Sequence, residues 1–231
     1  MITMNTVPLK NQVTSSSVLH QIKLTIVQLD SHQLTLEYRS MPGNQPSAYS
    51  NHIHIWQSEN YVPWNQKPLK SQPVSGDSQS GAIVVQGMNI GKLDYIIGYS
   101  VGASPTQTAA TAYIPVTVSA ASPDNEYEYS VSSIDVTSAG DSYLNFSYQM
   151  PDGYNPSAYG AWVGLWQGRQ IPLPTTEPLS RTTIPYTSET GSHSLSNLNL
   201  ASGEHYCIGL FFGGPASGSS TTLGASCSFV Y

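Results

Sequence analysis

A chain of 231 residues has room for one large or two small domains, and 39% hydrophobic residues with 15 Tyr and 4 Trp give it the means to build a core in each. Eight Lys and Arg stand against fourteen Asp and Glu, a formal net charge of −6, and charged residues make up 10% of the chain against ~25% in an average domain. That profile excludes a nucleic-acid binder, which needs a basic stripe to neutralise phosphates, and a coiled coil, while no run approaches the ~18 apolar residues of a transmembrane helix.

The chain opens with Met1-Ile-Thr-Met-Asn-Thr-Val-Pro-Leu-Lys10, which lacks the basic start and apolar stretch of a cleavable signal peptide, and residues 1–17 read as a polar arm. Alternation begins behind it. Ile22/Leu24/Ile26, Leu34/Leu36/Tyr38, Ile53/Ile55, Ile83/Val85, Tyr95/Ile97/Tyr99 and Ala112/Ile114/Val116 place apolar side chains at every second position, the pattern of half-buried strands. Val18, Leu19, Ile22, Ile26 and Leu29 also fit helical spacing, but their β-branched content favours a strand. Turn residues such as Pro42-Gly43-Asn44 and Ser75-Gly76-Asp77 separate the runs. Residues 118–126 are small, polar and Pro-containing, as a linker is. The pattern then returns as Tyr127/Tyr129/Val131, Ile134/Val136, Leu144/Phe146/Tyr148, Val163/Leu165, Leu198/Leu200, Tyr206/Ile208 and Phe229/Tyr231.

The second series is a copy of the first. Met41-Pro-Gly-Asn-Gln-Pro-Ser-Ala-Tyr49 recurs as Met150-Pro-Asp-Gly-Tyr-Asn-Pro-Ser-Ala-Tyr159, His52-Ile-His-Ile-Trp56 as Trp162-Val-Gly-Leu-Trp166, and Asp94-Tyr-Ile-Ile-Gly98 as His205-Tyr-Cys-Ile-Gly209. The order is kept and the offset drifts by a residue or two, as a duplication with loop insertions requires. The chain is therefore expected to be all-β: two tandem antiparallel β-sandwiches, residues 18–117 and 127–231, of about seven strands each.

Trp162-Val-Gly-Leu-Trp166 resembles the D-W-[VI]-G-[LI]-[FY] strand of immunoglobulin/fibronectin-III-like domains, among them the accessory domain of purple acid phosphatases and the SKICH modules. Ala161 stands where those families carry Asp, and His52 and His54 replace Trp162 and Gly164 in the first copy. The resemblance implies sandwiches used for recognition or support, with no chemistry of their own.

Phosphate-cradling Gly-rich loops and the nucleophile elbow G-x-S-x-G are absent from the sequence, and no cofactor is implied. His52 and His54, two apart on a strand, project from one face and are the one suggestive metal pair, although a site needs further ligands; plain strand surface is the alternative. Cys207 and Cys227 lie symmetrically about Ser217 and are expected to face each other across the last hairpin, as packing neighbours or as a disulfide.

The aromatic residues give the best functional lead. With Ile53/Ile55 and Val163/Leu165 on the core face, Trp56, Trp162 and Trp166 fall on the second face, where a Trp is either capped by a loop of its own domain or part of a ligand platform. Tyr61, Trp64 and Asn65 follow Trp56 and add aromatic and amide groups of the kind that contact sugar rings. The expected function is non-catalytic recognition or adhesion, binding a carbohydrate or a protein surface. Low charge and sticky Ser, Thr, Asn, Gln and Tyr surfaces also suit a self-assembling homo-oligomer, and an enzyme with a site between the copies is a third reading.

Overall fold

The computed structural model describes residues 17–89, 92–117, 127–214 and 219–231. The expected arm, apart from Ser17, and the expected linker lie outside them, as does Ser217. The first half runs β1 (Val18–Gln21), β2 (Lys23–Leu29), β3 (Gln33–Arg39), β4 (His52–Gln57), β5 (Lys70–Pro73), β6 (Ser80–Gln86), β7 (Tyr95–Ser100) and β8 (Thr108–Ile114). The second runs β9 (Glu128–Val131), β10 (Ser133–Gly140), β11 (Tyr143–Gln149), α1 (Pro156–Tyr159), β12 (Trp162–Gln167), β13 (Ser180–Thr183), β14 (Thr190–Ser196), β15 (His205–Phe211) and β16 (Leu223–Val230). No helix of the described residues is long and apolar enough to cross a membrane.

The architecture is all-β and every strand pair is antiparallel. In the first half a three-stranded sheet, β2-β3-β6, covers a five-stranded one, β5-β4-β7-β8-β9; in the second, β10-β11-β14 covers β1-β16-β15-β12-β13. Alternation decides the faces: Leu34, Leu36 and Tyr38 of β3 and Leu144, Phe146 and Tyr148 of β11 are buried while their neighbours point outward. Both copies break the alternation at the same place. A bulge leaves Val27 of β2 exposed, and its counterpart on β10 falls between Val136 and Ser138. The single turn α1 was not expected. It forms because Pro156 sits at its first position, the Asn155 side chain accepts from Ala158 N at 3.0 Å, and Gly160 closes it in the left-handed region.

The sheet order holds a feature that periodicity does not reveal. β1 pairs with β16, the last strand of the other half, and β9 pairs with β8 in the same manner. Each half thus completes its partner's five-stranded sheet, with the chain crossing over at Ile22 and Ser132, both buried. Ser132 donates from N and Oγ to Ala109 O, at 3.0 and 2.7 Å. Ala109 is the extra residue of a bulge in β8, and Gly224 is the matching residue in β16. The two bulges meet: a Cβ at Gly224 would stand 3.0 Å from Ala109 Cβ and 2.9 Å from Phe212 Cδ2, too close for any residue but glycine.

Loop contacts follow the same approximate two-fold relation. Trp64 of the first half donates from Nε1 to Asp152 O at 3.0 Å and packs edge-on against Tyr154. In the mirrored position Leu173 of the second half lies 3.7 Å from where a Cβ of Gly43 would be. Tyr154 fills the seam, with its hydroxyl donating to Thr106 O at 3.0 Å and its ring 5.2 Å from Phe212. The two sandwiches are therefore joined by two exchanged strands and a packed seam.

Candidate functional site

The Trp residues lie on the second face as expected, and both copies cover them with the loop that follows the strand. Trp166 is 4% exposed and donates from Nε1 to Thr176 O at 3.0 Å; Trp56 is 2% exposed and donates to Gln66 O at 3.3 Å, ten residues on in each case. Trp162 stacks on Phe211 at 4.2 Å, and Ile171 of the covering loop is buried with them. Glycine makes the room: a Cβ at Gly164 would stand 3.0 Å from the Trp162 ring, and one at Gly98 would stand 3.1 Å from Trp56. A ligand cannot reach these indoles in this structure, so Trp56, Trp162 and Trp166 are corrected from platform to packing. The physical reason is local: a twelve-residue loop behind each Trp strand caps the apolar second face and removes it from water. Trp64 is half-buried in the seam described above. Tyr61 and Asn65 stay on the surface.

His52 and His54 share a face, but their rings lie parallel, 7° apart with centroids separated by 5.6 Å. The Nδ1 of His52 lies 2.8 Å from Ser50 O, so that nitrogen already has a backbone partner. Among the described residues no group of three or more His, Cys, Asp or Glu side chains is placed to hold a metal. His54 is buried, with Nδ1 2.9 Å from Ser71 Oγ and Nε2 without a hydrogen-bond partner. Burial, with a smaller contribution from His52, lowers its pKa to about 4, so it is neutral at pH 7.

The cysteines do not face each other. Cys207 lies opposite Ser228 and Cys227 opposite Ile208, so the thiols project from opposite faces of the sheet and both are free and buried. The Gly224 bulge adds one residue to β16, and that single step moves the symmetric register off the pair. Burial pushes the Cys207 thiol up to about 12, and burial likewise raises that of Cys227.

The exposed aromatic surface lies beside β9. A groove of about 70 Å³ on the outer face of the first five-stranded sheet is lined by Asn60 and Tyr61, by Thr111 and Tyr113 of β8, by Glu128 of β9 and by Asp152 from the second half. Tyr61 is 57% exposed. Tyr113 donates to Asp94 Oδ1 at 3.1 Å, and its phenol pKa is raised, first by burial and then by Asp94, Glu128 and Glu59. Asn60 Nδ2 donates to Glu128 Oε2 at 2.9 Å. Of these residues only Tyr61 was expected. The others are far apart in sequence and are brought together by the strand exchange that delivers Glu128 to β8.

No protein-family model matches the chain, and no curated protein matches it. Among solved structures it is similar to a two fibronectin type-III domain segment from chicken tenascin, with 12% identity over 84% of this chain and 91% of that one and a TM-score of 0.26. It is also similar to the BSP domain of a biofilm-associated protein, at 12% identity over 83% of this chain and a TM-score of 0.25; there it spans 26% of the other chain's length.

Proposed function

We propose that the protein is a non-catalytic recognition module that holds a neutral carbohydrate in the groove beside β9. The observation that carries this reading is the pairing of exposed Tyr61 with Tyr113, Asn60 and Glu128 on one outer face. Aromatic faces offer apolar area at low entropic cost, while amide and carboxylate groups give fixed partners for hydroxyls. Cys207 and Cys227 are buried with raised pKa values and His54 is buried with a lowered one, so none of these three is poised as a nucleophile or base.

The test is a glycan array probed with the full chain, followed by calorimetry of the strongest hit. Tyr61→Ala and Glu128→Gln should each weaken binding roughly tenfold, about 1.4 kcal/mol, while an exposed position such as Tyr61 leaves thermal stability nearly unchanged. Unchanged affinity in both variants, or release of reducing sugar from the bound glycan, contradicts the reading.

A further inference from the structure

The second five-stranded sheet carries the sister of this groove. It has a volume of about 380 Å³ and is lined by Val18 and His20 of β1, Arg169 and Gln170 of the loop behind β12, His205 of β15 and Ser228 of β16. The strand registers fix the correspondence. Val18 lies opposite Ser228 as Glu128 lies opposite Tyr113, and His20 opposite Ser226 as Ser130 opposite Thr111. Gln167 lies opposite Tyr206 as Gln57 lies opposite Tyr95, which makes His205 the counterpart of Asp94 and Arg169 the counterpart of Glu59. One location in the fold thus carries Glu59, Asp94 and Glu128 in the first half and Arg169, His205 and Val18 in the second. Packing does not require either set, because the same sandwich is built with both.

The local charge also runs against its surroundings. Residues 127–231 contain seven Asp and Glu but only Arg169 and Arg181 as cations. Arg181 is 3.8 Å from Glu177, whereas Arg169 is exposed and in no ion pair among the described residues. The nearby acid, Glu204, has Oε2 taken up by Gln167 Nε2 at 3.2 Å. His20 and His205 sit two strands apart and four residues along the sheet. At the usual strand spacing and rise that is about 16 Å between backbone positions, a span for an extended ligand and not for a single small ion.

We propose that this groove binds an extended anionic polysaccharide, with Arg169 forming paired hydrogen bonds to its carboxylates or sulfates and His20 and His205 donating from either end. The polysaccharide class rests on the carbohydrate reading of the sister groove; the anionic character rests on the residues of this one.

The test uses the full chain with four probes: polygalacturonate, dextran sulfate, neutral dextran and polyglutamate. Polygalacturonate or dextran sulfate should bind and neutral dextran should not. The double variant Arg169→Glu/His205→Asp, which installs the residues the first half already carries, should keep its melting temperature and bind the polyanion at least tenfold more weakly. Tyr61→Ala should leave polyanion binding unchanged. The proposal is overturned by no polyanion binding, by equal binding in the double variant, by a preference for polyglutamate, or by joint loss in Tyr61→Ala. It is equally overturned if the double variant abolishes a concentration-dependent self-association of the unliganded protein, which would assign the groove to a second copy.

Discussion

Removing the Trp166 side chain isolates the question of what the repeated indoles do. Burial of an indole takes roughly 200 Å² out of water, and at ~25 cal/mol per Å² that amounts to about 5 kcal/mol, an upper value because the unfolded chain already shelters some of it. The ring packs against Phe211 at 5.6 Å and Trp162 at 6.3 Å, and Gly164 lies directly beneath it. Trp166→Ala should therefore cost about 3–5 kcal/mol, read as a shift of the urea midpoint at constant slope or as a fall in melting temperature of roughly 6–20 °C. Trp166→Phe keeps most of the packing and removes the N–H that Thr176 O accepts, so it should cost nearer 1–3 kcal/mol. Trp56→Ala should behave like Trp166→Ala, because its indole has the same partner ten residues on. A loss below about 1 kcal/mol at both Trp positions would mean that the covering loops are open in solution, and would return the indoles to the ligand face.

Two further outcomes follow from buried titratable groups. His54 has a folded pKa of about 4 against 6.5 in the unfolded chain, so the unfolded state binds the extra proton between those values; stability present above pH 6.5 should fall by up to about 3 kcal/mol as the pH drops to 4, and His54→Gln should flatten that part of a pH series of urea titrations. Cys207 and Cys227 should be inert to a thiol reagent in native protein and titrate as two thiols in denaturant; fast native labelling of either, or recovery of a linked 207–227 peptide, would contradict their placement.

The sandwich faces were legible because Leu34, Leu36, Tyr38 and their copies Leu144, Phe146 and Tyr148 alternate cleanly, and the duplication was legible because Trp56 and Trp166 anchor repeated strings. Other strands carry no such signal. Lys70–Pro73 and Ser180–Thr183 are polar edge strands paired on one side only, and Thr190–Ser196 buries only Leu195. Leu198 and Leu200 alternate but lie beyond the end of β14, and Val116 lies beyond the end of β8, because two apolar residues two apart also occur in a loop that tucks back.

The cysteine register failed for a different reason: a bulge at a glycine changes the count without changing the pattern. The candidate site was legible only at Tyr61. Asn60, Tyr113 and Glu128 become neighbours through the exchange of β9, and a four-residue strand gives no sign of which sheet it will join. Likewise the sequence posed the second-face Trp as a choice between a covering loop and a platform, and only the position of residues 168–179 and 58–69 decides it.

The exchange itself is the claim on which the groove, the seam and the two-fold relation all depend, and a single cross-link tests it. Leu19 lies opposite Cys227 in the β1–β16 pair, where antiparallel Cα spacings of about 4.5–5.5 Å fall within disulfide range. Leu19→Cys in a Cys207→Ser background should oxidise to an intrachain 19–227 bridge, with the mass by light scattering equal to that of the reduced protein and the bridge recovered by non-reducing peptide mapping. Had β1 stayed with its own half, the register of β9 on β8 would set Leu19 opposite Ala112. Ready cross-linking of Leu19→Cys to Ala112→Cys in a background lacking both native thiols, with none between positions 19 and 227, would contradict the exchange.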